Sequence, residues 1–255
     1  MKLQKIKRNS GFSLVEVVIA IGIVAVLLTT FMSVFGPSQQ KIAKALSIAD
    51  ANRLVSTLES ELATLRPTDK SDYVASGSGA SAFEKAFQWI KESHNPGSAV
   101  LVYQYQALPD SENADGSLKA AASKMVSDDS SLPGVDFITQ TVARRLDKAP
   151  SNTLQNELVP GVIEGRVYVV RMTQLVRKNG AMELGDAGRI MNPSESGDGT
   201  GSEASSTANY DEAYVAFRAE FFELNNNLYS YVTGGAWTFD KLGAPVVTQN
   251  IAIRR

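Results

Sequence analysis

An apolar run near the N-terminus constrains this chain more than any other feature of its sequence. Between Phe12 and Phe35 the polar residues are few: Ser13, Glu16, Thr29, Thr30 and Ser33. As a helix, the run would extend roughly 36 Å at ~1.5 Å per residue. Because the hydrocarbon core of a bilayer is about 30 Å thick, the run is long enough to span it. Glu16 is the anomaly, since a carboxylate in a membrane helix is costly and usually serves a partner.

The leader before this run, residues 1–11, is basic and contains no acid; its charges are Lys2, Lys5, Lys7 and Arg8. The positive-inside tendency keeps it in the cytoplasm and predicts export of the chain from Ser38 onward. A secretory signal peptide is a simpler interpretation, but its apolar region spans about 7–15 residues and ends in a small-residue cleavage site. This run is longer and ends in Phe35-Gly36-Pro37. A plain signal anchor explains the length and the charges but leaves Glu16 unexplained.

The start of the run, Gly11-Phe12-Ser13-Leu14-Val15-Glu16-Val17-Val18-Ile19-Ala20, resembles the processing region of type IV prepilins and of type II secretion pseudopilins. The resemblance implies that a prepilin peptidase cuts between Gly11 and Phe12 and methylates the new amine, which makes Phe12 an N-methylphenylalanine. The fifth residue of the mature chain, a glutamate in most members, falls on Glu16. The resemblance covers residues 1 to about 55.

Elementary chemistry gives Glu16 a role in assembly. Phe12 and Glu16 are four residues apart, so they share one face of a helix. A free amine at a helix start faces the unfavourable end of the macrodipole, and a nearby carboxylate would offset it. N-methylation keeps the positive charge of the amine. We therefore expect Glu16 to pair with a Phe12 amine, in the same chain or the next, and to set the register between subunits.

The resemblance also implies where the protein acts and with what partners. It would be a single-pass inner-membrane protein with a cytoplasmic N-terminus and a C-terminal domain exported to the periplasm or cell surface, and a fibre subunit after assembly. Its partners would be prepilin peptidase, other pilin or pseudopilin subunits, an inner-membrane assembly platform with its ATPase, and membrane lipid. The length of the chain and its polar loops lead us to expect a minor subunit of a type IV pilus (a fimbrium) or of a protein-transport pseudopilus.

Composition argues against several other classes of protein. The chain has 25 basic and 27 acidic residues, and four of the basic ones lie in the leader, so the mature chain is acidic and lacks a nucleic-acid-binding stripe. It contains no cysteine, which excludes thiol catalysis and thiolate metal sites. His94 is the single histidine, and we expect it at the surface after a helix. We expect no catalytic residue, no cofactor and no enzymatic activity.

A calcium site is the weaker alternative to a solvated acidic loop. Asp186 and Asp198 are the candidate ligands, with Glu195 and Glu203 nearby among Gly-rich turns. Carboxylates in a loop can bind Ca²⁺. The spacing does not follow the D-x-D-x-D-G pattern, so a solvated loop is the preferred interpretation.

The sequence predicts an α+β fold: a long, partly transmembrane N-terminal helix packed on a mainly antiparallel β-sheet domain. We divide the chain into a leader (1–11), a transmembrane assembly helix (12–36), its amphipathic continuation (37–66) and an exported domain (67–255) with mobile loops near 109–131 and 188–209. Gly36-Pro37 leaves open whether one helix continues or Ser38 caps a second. The continuation carries an apolar stripe with helical spacing: Ala51, Val55, Leu58, Leu62 and Leu65.

Within the exported domain, periodicity and turn residues predict the elements. A capping box at Ser81–Glu84 opens a helix that stops at Asn95-Pro96-Gly97. Further helices are expected at 118–126 and 135–146. Alternation predicts strands at 99–108, 165–177, 181–184, 214–224, 228–232, 236–240 and 246–253.

Two other kinds of function compete with a fibre subunit. A membrane-anchored, pilin-processed module could bind a ligand through the loop at 192–209 without polymerising. An anchored envelope enzyme would have to use His94 or a pair of acids. Substitution of Glu16 distinguishes the ligand-binding module from a fibre subunit, because only polymerisation should need that carboxylate.

Overall fold

The first helix, α1, runs from Leu14 to Ala63 and contains 50 residues. The structure is a computed structural model, and it describes residues 13–74, 79–121, 137–196 and 199–255. The helix continues through Gly36-Pro37, so the alternative in which Ser38 caps a second segment is wrong. The chain divides into two units, Met1–Leu46 and Ser47–Arg255, and α1 contributes to both.

The part of the first unit that the structure describes consists of α1 residues and the Ser13 that precedes them. All its described side chains between Ser13 and Leu46 are exposed, including the large apolar ones. This unit therefore has no core of its own among the described residues.

An antiparallel sheet organises the second unit. Its strands are β1 (Val100–Glu112), β2 (Leu118–Ala120), β3 (Ile138–Arg145), β4 (Ile163–Lys178), β5 (Ala181–Leu184), β8 (Tyr214–Glu223) and β9 (Val247–Arg254). The main path is β2-β1-β4-β8-β9, with β3 also paired to β1 and β5 to β4. A separate hairpin joins β6 (Met191–Pro193) to β7 (Thr200–Glu203). The α+β prediction is confirmed.

Two apolar clusters lie against opposite faces of the sheet. One contains the buried side chains of α1, Ala51, Leu54, Leu58 and Leu62, with those of α2 (Ala82–Glu92). The other contains Leu154 of α3 (Ser151–Glu157), Val232 of α4 (Tyr229–Thr233) and Phe239 of α5 (Phe239–Leu242). Strand residues alternate between the clusters, as the period of two in a β-strand requires.

The amphipathic stripe predicted for α1 is confirmed from Ala51 to Leu62, whereas its last predicted member, Leu65, lies beyond the end of the helix at Ala63. Ala51, Leu58 and Leu62 have no exposed surface, and Val55 packs against them. Burying a leucine such as Leu58 or Leu62 stabilises the fold by roughly 1.5–3 kcal/mol. Ser47 lies at the start of this contact. Its hydroxyl donates a hydrogen bond of 2.8 Å to the Glu223 carboxylate and lies 3.2 Å from the Tyr168 hydroxyl.

Helix α2 begins as predicted, because Ser81 caps it. The Ser81 hydroxyl accepts a hydrogen bond of 3.1 Å from the backbone N–H of Glu84. Phe83, Phe87 and Ile90 are buried on the face that the spacing predicted. The helix ends at Glu92, and Asn95-Pro96-Gly97 follows in a turn.

Four predicted elements were wrong. Ile138–Arg145, expected as part of a helix at 135–146, forms β3, because its β-branched residues pair with β1 over eight positions. Leu118–Ala120, expected in a helix, forms β2; the rest of that predicted helix lies mainly outside the described residues. The predicted strands at 228–232 and 236–240 are the short helices α4 and α5, whose turns bury Val232 and Phe239 against the sheet.

Both segments expected as loops contain regular structure. Residues 109–112 extend β1, and β2 follows at 118–120. The segment at 188–209 contains the β6–β7 hairpin, whose neighbours Ile190 and Ala204 have no exposed surface. Hydrogen bonds from the Asn192 side chain to Asn209 and from Asp211 to Asn192 connect this hairpin to the start of β8.

Two buried networks of charge support the second unit. Lys85 has no exposed surface and donates hydrogen bonds to Glu61 (2.6 Å), Asp69 (2.7 Å) and the Thr64 carbonyl. Burial by itself raises the pKa of Glu61, but hydrogen bonds from Arg66 and the charge of Lys85 lower that pKa below its usual value. The carboxylate is therefore ionised and fully paired, as a buried charge requires.

The second network surrounds Arg144 at the end of β3. Its guanidinium donates to Glu157 (2.7 and 2.8 Å), Asp115 (2.5 Å) and Ser117 (2.8 Å). Burial by itself raises the pKa of Asp115, but hydrogen bonding by Ser117 and the charge of Arg144 lower it to about 2. These contacts hold the β1–β2 loop against α3.

Candidate functional site

Ser13 and Glu16 form a reciprocal capping box at the start of α1. The Ser13 hydroxyl accepts a hydrogen bond of 3.2 Å from the Glu16 N–H, and the Glu16 carboxylate accepts one of 3.4 Å from the Ser13 N–H. Such a box satisfies two of the N–H groups that a helix start leaves unpaired. The carboxylate is also favourably placed near the positive end of the helix dipole. Glu16 therefore has a role within its own chain.

Beyond this cap, α1 presents an apolar surface on every side. Leu14–Ser33 is the segment of the described chain that is long and apolar enough to cross a membrane, and none of its residues is buried. Exposed apolar side chains around the whole helix are typical of a segment that is covered by lipid or by other helices. Phe31 and Phe35, one turn apart, stack with their ring centroids at 4.6 Å.

The hydroxyl groups within this segment are satisfied by the helix itself. Thr29 and Thr30 donate to the Val26 carbonyl at 2.9 and 2.8 Å, and Ser33 donates to the Thr30 carbonyl at 2.8 Å. Water is absent from the centre of a bilayer, so polar groups there must find partners within the protein. These three side chains meet that requirement without a neighbouring helix.

Of the predicted processing and assembly residues, the structure describes Glu16. Glu16 lies at the third position of α1 with its carboxylate exposed. Gly11 and Phe12 lie outside the described residues, so the expected pairing of Glu16 with a Phe12 amine stays a prediction. The serine that shares the capping box was missed, although Ser13-Leu14-Val15-Glu16 matches the S/T-x-x-E signature used at Ser81.

The acids considered for calcium do not converge in the described part of the chain. Asp186 is exposed after β5, and Asp198 lies outside the described residues. Glu203 lies 3.8 Å from Lys91 and 3.6 Å from Arg189, so its carboxylate faces cations. No group of three or more acidic or histidine side chains in the described ranges could hold a metal ion.

His94 is less exposed than predicted. It follows α2, as expected, but its ring is half-buried against β4, where Nε2 lies 2.8 Å from the Met172 carbonyl and 3.2 Å from the Thr173 hydroxyl. Burial lowers the pKa of His94 below its usual value. The hydrogen bond to a carbonyl identifies Nε2 as the protonated nitrogen, which gives His94 a structural role at the end of the helix.

Comparison with known proteins identifies the N-terminal segment. Residues 6–32 match the family model described as "Prokaryotic N-terminal methylation motif". No curated protein and no solved structure matches the chain. The match includes Gly11, Phe12 and Glu16 and coincides with the capped start and the apolar part of α1. The chain therefore carries a type IV prepilin-like signal, which indicates pilin-like processing and an anchoring helix.

Proposed function

We propose that this chain, with its prepilin-like signal on an exposed apolar helix, is a pilin-like structural subunit that assembles through that helix. The observation that carries the proposal is the coincidence of the matched motif, residues 6–32, with the segment of α1 that has no buried residue. A helix with apolar side chains on all sides must be covered by lipid before assembly and by other helices afterwards. Its contribution is mechanical rather than catalytic.

Processing would prepare the helix for this role. Prepilin peptidase would cleave between Gly11 and Phe12 and methylate the Phe12 amine. Removal of the leader also removes Lys2, Lys5, Lys7 and Arg8, whose charges would hold the N-terminus at the cytoplasmic surface. The mature helix then carries one amine and one carboxylate near its start, and both can be neutralised by pairing.

Glu16 would have two partners in succession. In the free subunit its carboxylate accepts the Ser13 N–H, which is a weak contact at 3.4 Å. In a fibre, the charged amine of a neighbouring Phe12 would be the stronger partner, because charge-assisted hydrogen bonds are about twice as strong as neutral ones. The exchange would stabilise one axial register of neighbouring subunits. Any other register would leave a charge unpaired in an apolar bundle and would be less stable.

The finer assignment rests on chain size and on the exported domain. We propose a minor subunit of a type IV pilus or of a type II secretion pseudopilus, anchored in the inner membrane with the domain on the exported side. Other pilin-like subunits, the assembly platform and its ATPase would be the partners. The exported domain would form the outer surface of the fibre.

Charge and capping at Glu16 can be tested separately. Glu16→Gln keeps a carbonyl oxygen that can cap Ser13 but removes the charge, whereas Ser13→Ala removes the hydroxyl of the box and keeps the carboxylate. Subunits would be expressed with prepilin peptidase, and fibre incorporation would be measured by immunoblotting of sheared fibres. We expect Glu16→Gln to reduce incorporation at least about tenfold and Ser13→Ala to change it less than about twofold.

Mass spectrometry of the membrane-extracted protein provides the control for processing. Wild type and both variants should begin at methylated Phe12 when the peptidase is present and at Met1 when it is absent. A wild-type chain that stays uncut, or is cut after Phe35, would refute the pilin-like interpretation. Normal incorporation of Glu16→Gln would leave capping as the role of Glu16, and absence of the wild type from fibres would favour an anchored module that does not polymerise.

A further inference from the structure

A cavity of about 250 Å³ lies beside β3 in the second unit. Among the described strands β3 pairs only with β1, so its other edge is free, and Ala143, Arg144 and Arg145 from this edge line the cavity. The walls come from both sides of the sheet: Tyr73 and Trp89 on one side, and the turn into α3 on the other. The volume equals that of about eight water molecules in the liquid.

Arg145 provides an unused donor at this cavity. Only 3% of the residue is exposed, and its Nε and Nη2 donate to Asp147 at 2.6 Å, while Nη2 also donates to Glu92 at 2.7 Å. Its Nη1 is buried and has no hydrogen-bond partner among the described residues. A buried donor without a partner destabilises the fold, so an acceptor that reached Nη1 from the cavity would be bound favourably.

The hydroxyl of Tyr73 provides a second donor. Tyr73 is 1% exposed, and its oxygen accepts a hydrogen bond of 2.7 Å from the indole N–H of Trp89. Within the described ranges its hydrogen is donated to no other group. Burial raises the pKa of Tyr73 to about 12, so the hydroxyl stays protonated at neutral pH and can donate. Arg145 and Tyr73 therefore both line the cavity, and each has a donor hydrogen, on Nη1 and on the hydroxyl, that no described group accepts.

The charges around the cavity favour a neutral ligand. Arg145 already contacts two carboxylates, those of Asp147 and Glu92, and a third would have to share the same cation. The other cations are paired as well: Arg66 with Glu61, Arg144 with Asp115 and Glu157, and Lys148 with Asp72 at 3.8 Å. An anion in the cavity would therefore lie near more acidic groups than unpaired basic groups. No free cation of the described lining would compensate the cost of its desolvation.

We propose that this cavity binds a small neutral polyhydroxylated molecule, of the size of a single sugar ring. Its oxygens would accept hydrogen bonds from Arg145 Nη1 and Tyr73, and its hydroxyls would donate to the carboxylates of the lining. A hydroxyl group is both a donor and an acceptor, which suits a lining of this mixed character. The side chains of Asp72 and Lys148 line the cavity and are about two-fifths exposed, so the cavity reaches solvent beside this pair. This site is independent of assembly through α1.

The test uses the full chain in a phosphocholine detergent, because maltoside headgroups would themselves be sugars. Glucose, galactose and N-acetylglucosamine would be titrated with saturation-transfer NMR, with acetate and glutarate as anionic probes. We expect at least one sugar to bind with a Kd of about 0.1–1 mM, as is typical of weak small ligands. Tyr73→Phe should weaken that binding about fivefold, through the loss of one hydrogen bond.

Two variants on α3 test the location. Thr153 lines the cavity, so Thr153→Trp should fill it and weaken binding at least tenfold. Gln155, exposed on the same helix and absent from the lining, provides the control Gln155→Trp, which should bind like wild type. The proposal is overturned if none of the three sugars binds at about 10 mM, if Thr153→Trp binds normally, or if only the anions bind. The first outcome would leave ordered water as the occupant.

Discussion

At the scale of single residues, the buried ammonium of Lys85 depends on counter-charges from two other segments of the chain. Lys85 is fully buried, and its ammonium pairs with Glu61 and Asp69, which come from α1 and from the turn after it. Its ammonium also lies 5.0 Å from the centre of the Trp89 ring. Removing one partner of a buried ion pair leaves the other charge buried and unpaired. This destabilises a protein more than replacing both partners by apolar residues does.

We therefore expect Lys85→Met to lower the free energy of unfolding by about 3–5 kcal/mol. Lys91→Met is the matched control, because Lys91 is partly exposed and lies 3.8 Å from Glu203. That substitution should cost less than about 1 kcal/mol. Urea unfolding followed by circular dichroism measures both. A loss of under about 1 kcal/mol in Lys85→Met would show that Arg66 alone can hold the two carboxylates.

Asp115 predicts how stability depends on pH. Its pKa is about 2 in the folded chain against an ordinary value of 3.8, so its contribution is present above pH 3.8 and is lost as the pH falls towards 2. A shift of this size corresponds to about 2 kcal/mol. Asp115→Asn should therefore be less stable at pH 6 and should lose less stability than wild type between pH 4 and pH 2.

The control for this experiment is Asp110→Asn, because Asp110 is exposed and pairs with no described residue. Its unfolding free energy should follow the wild-type curve over the same pH range. If Asp115→Asn lost as much stability as wild type between pH 4 and pH 2, the carboxylate of Asp115 would not be the group that titrates with folding.

At the scale of elements, the serine caps at the starts of α1 and α2 are the clearest local determinants. Ser81 caps α2 in a position where the helix also buries Phe83, Phe87 and Ile90. Ser13 caps α1 in a position where every described neighbour is exposed. The same four-residue signature therefore begins a core helix in one place and an uncovered helix in the other, and only the residues that follow distinguish them.

We expect Ser81→Ala to destabilise the domain by about 1 kcal/mol, because the N–H of Glu84 loses its acceptor. Ser71→Ala provides the comparison: the Ser71 hydroxyl donates to the Thr68 carbonyl at an exposed turn. That change should cost less than about 0.5 kcal/mol. Thermal unfolding by circular dichroism would measure both, and equal losses would contradict a capping role for Ser81.

At the scale of the whole molecule, the division of α1 between two units has a direct consequence. The described side chains from 13 to 46 are exposed, while the core begins with Ser47 and Ala51. All buried residues of the described chain therefore belong to the second unit. A chain that begins at Lys41 keeps more than one helical turn before Ser47 and loses the apolar segment Leu14–Ser33.

We expect this truncated chain to be soluble without detergent and to unfold within about 3 °C of the full chain in detergent, since no core contact is removed. Differential scanning calorimetry measures both transitions. A chain that begins at Leu54 is the informative comparison, because it lacks Ser47 and Ala51 and should melt at least about 8 °C lower. A large drop on removal of residues 1–40 would show that the apolar segment supports the domain.

Sequence patterns predicted elements best where one local signal was sufficient. Strand β8 alternates Val215, Phe217, Ala219 and Phe221 onto one face, and all four are fully buried there. The spacing of Val135, Ile138, Val142 and Leu146 fits a helix equally well, yet Ile138–Arg145 pairs with β1 as a strand. The free energy of strand pairing comes from partners 31 to 45 residues away in sequence, so no short window around Val142 contains it.

The sequence by itself determined the chemistry of the N-terminus: the motif at Gly11, Phe12 and Glu16, the apolar span and the absence of thiols. These properties depend on residues close together in the chain, so periodicity and spacing reveal them. Tertiary structure alone decided where Lys85, Arg144 and Arg145 lie, which acids pair with them and which cavity Arg145 lines. A charged residue in a sequence predicts exposure, and it can be buried only when the fold supplies counter-charges from distant segments.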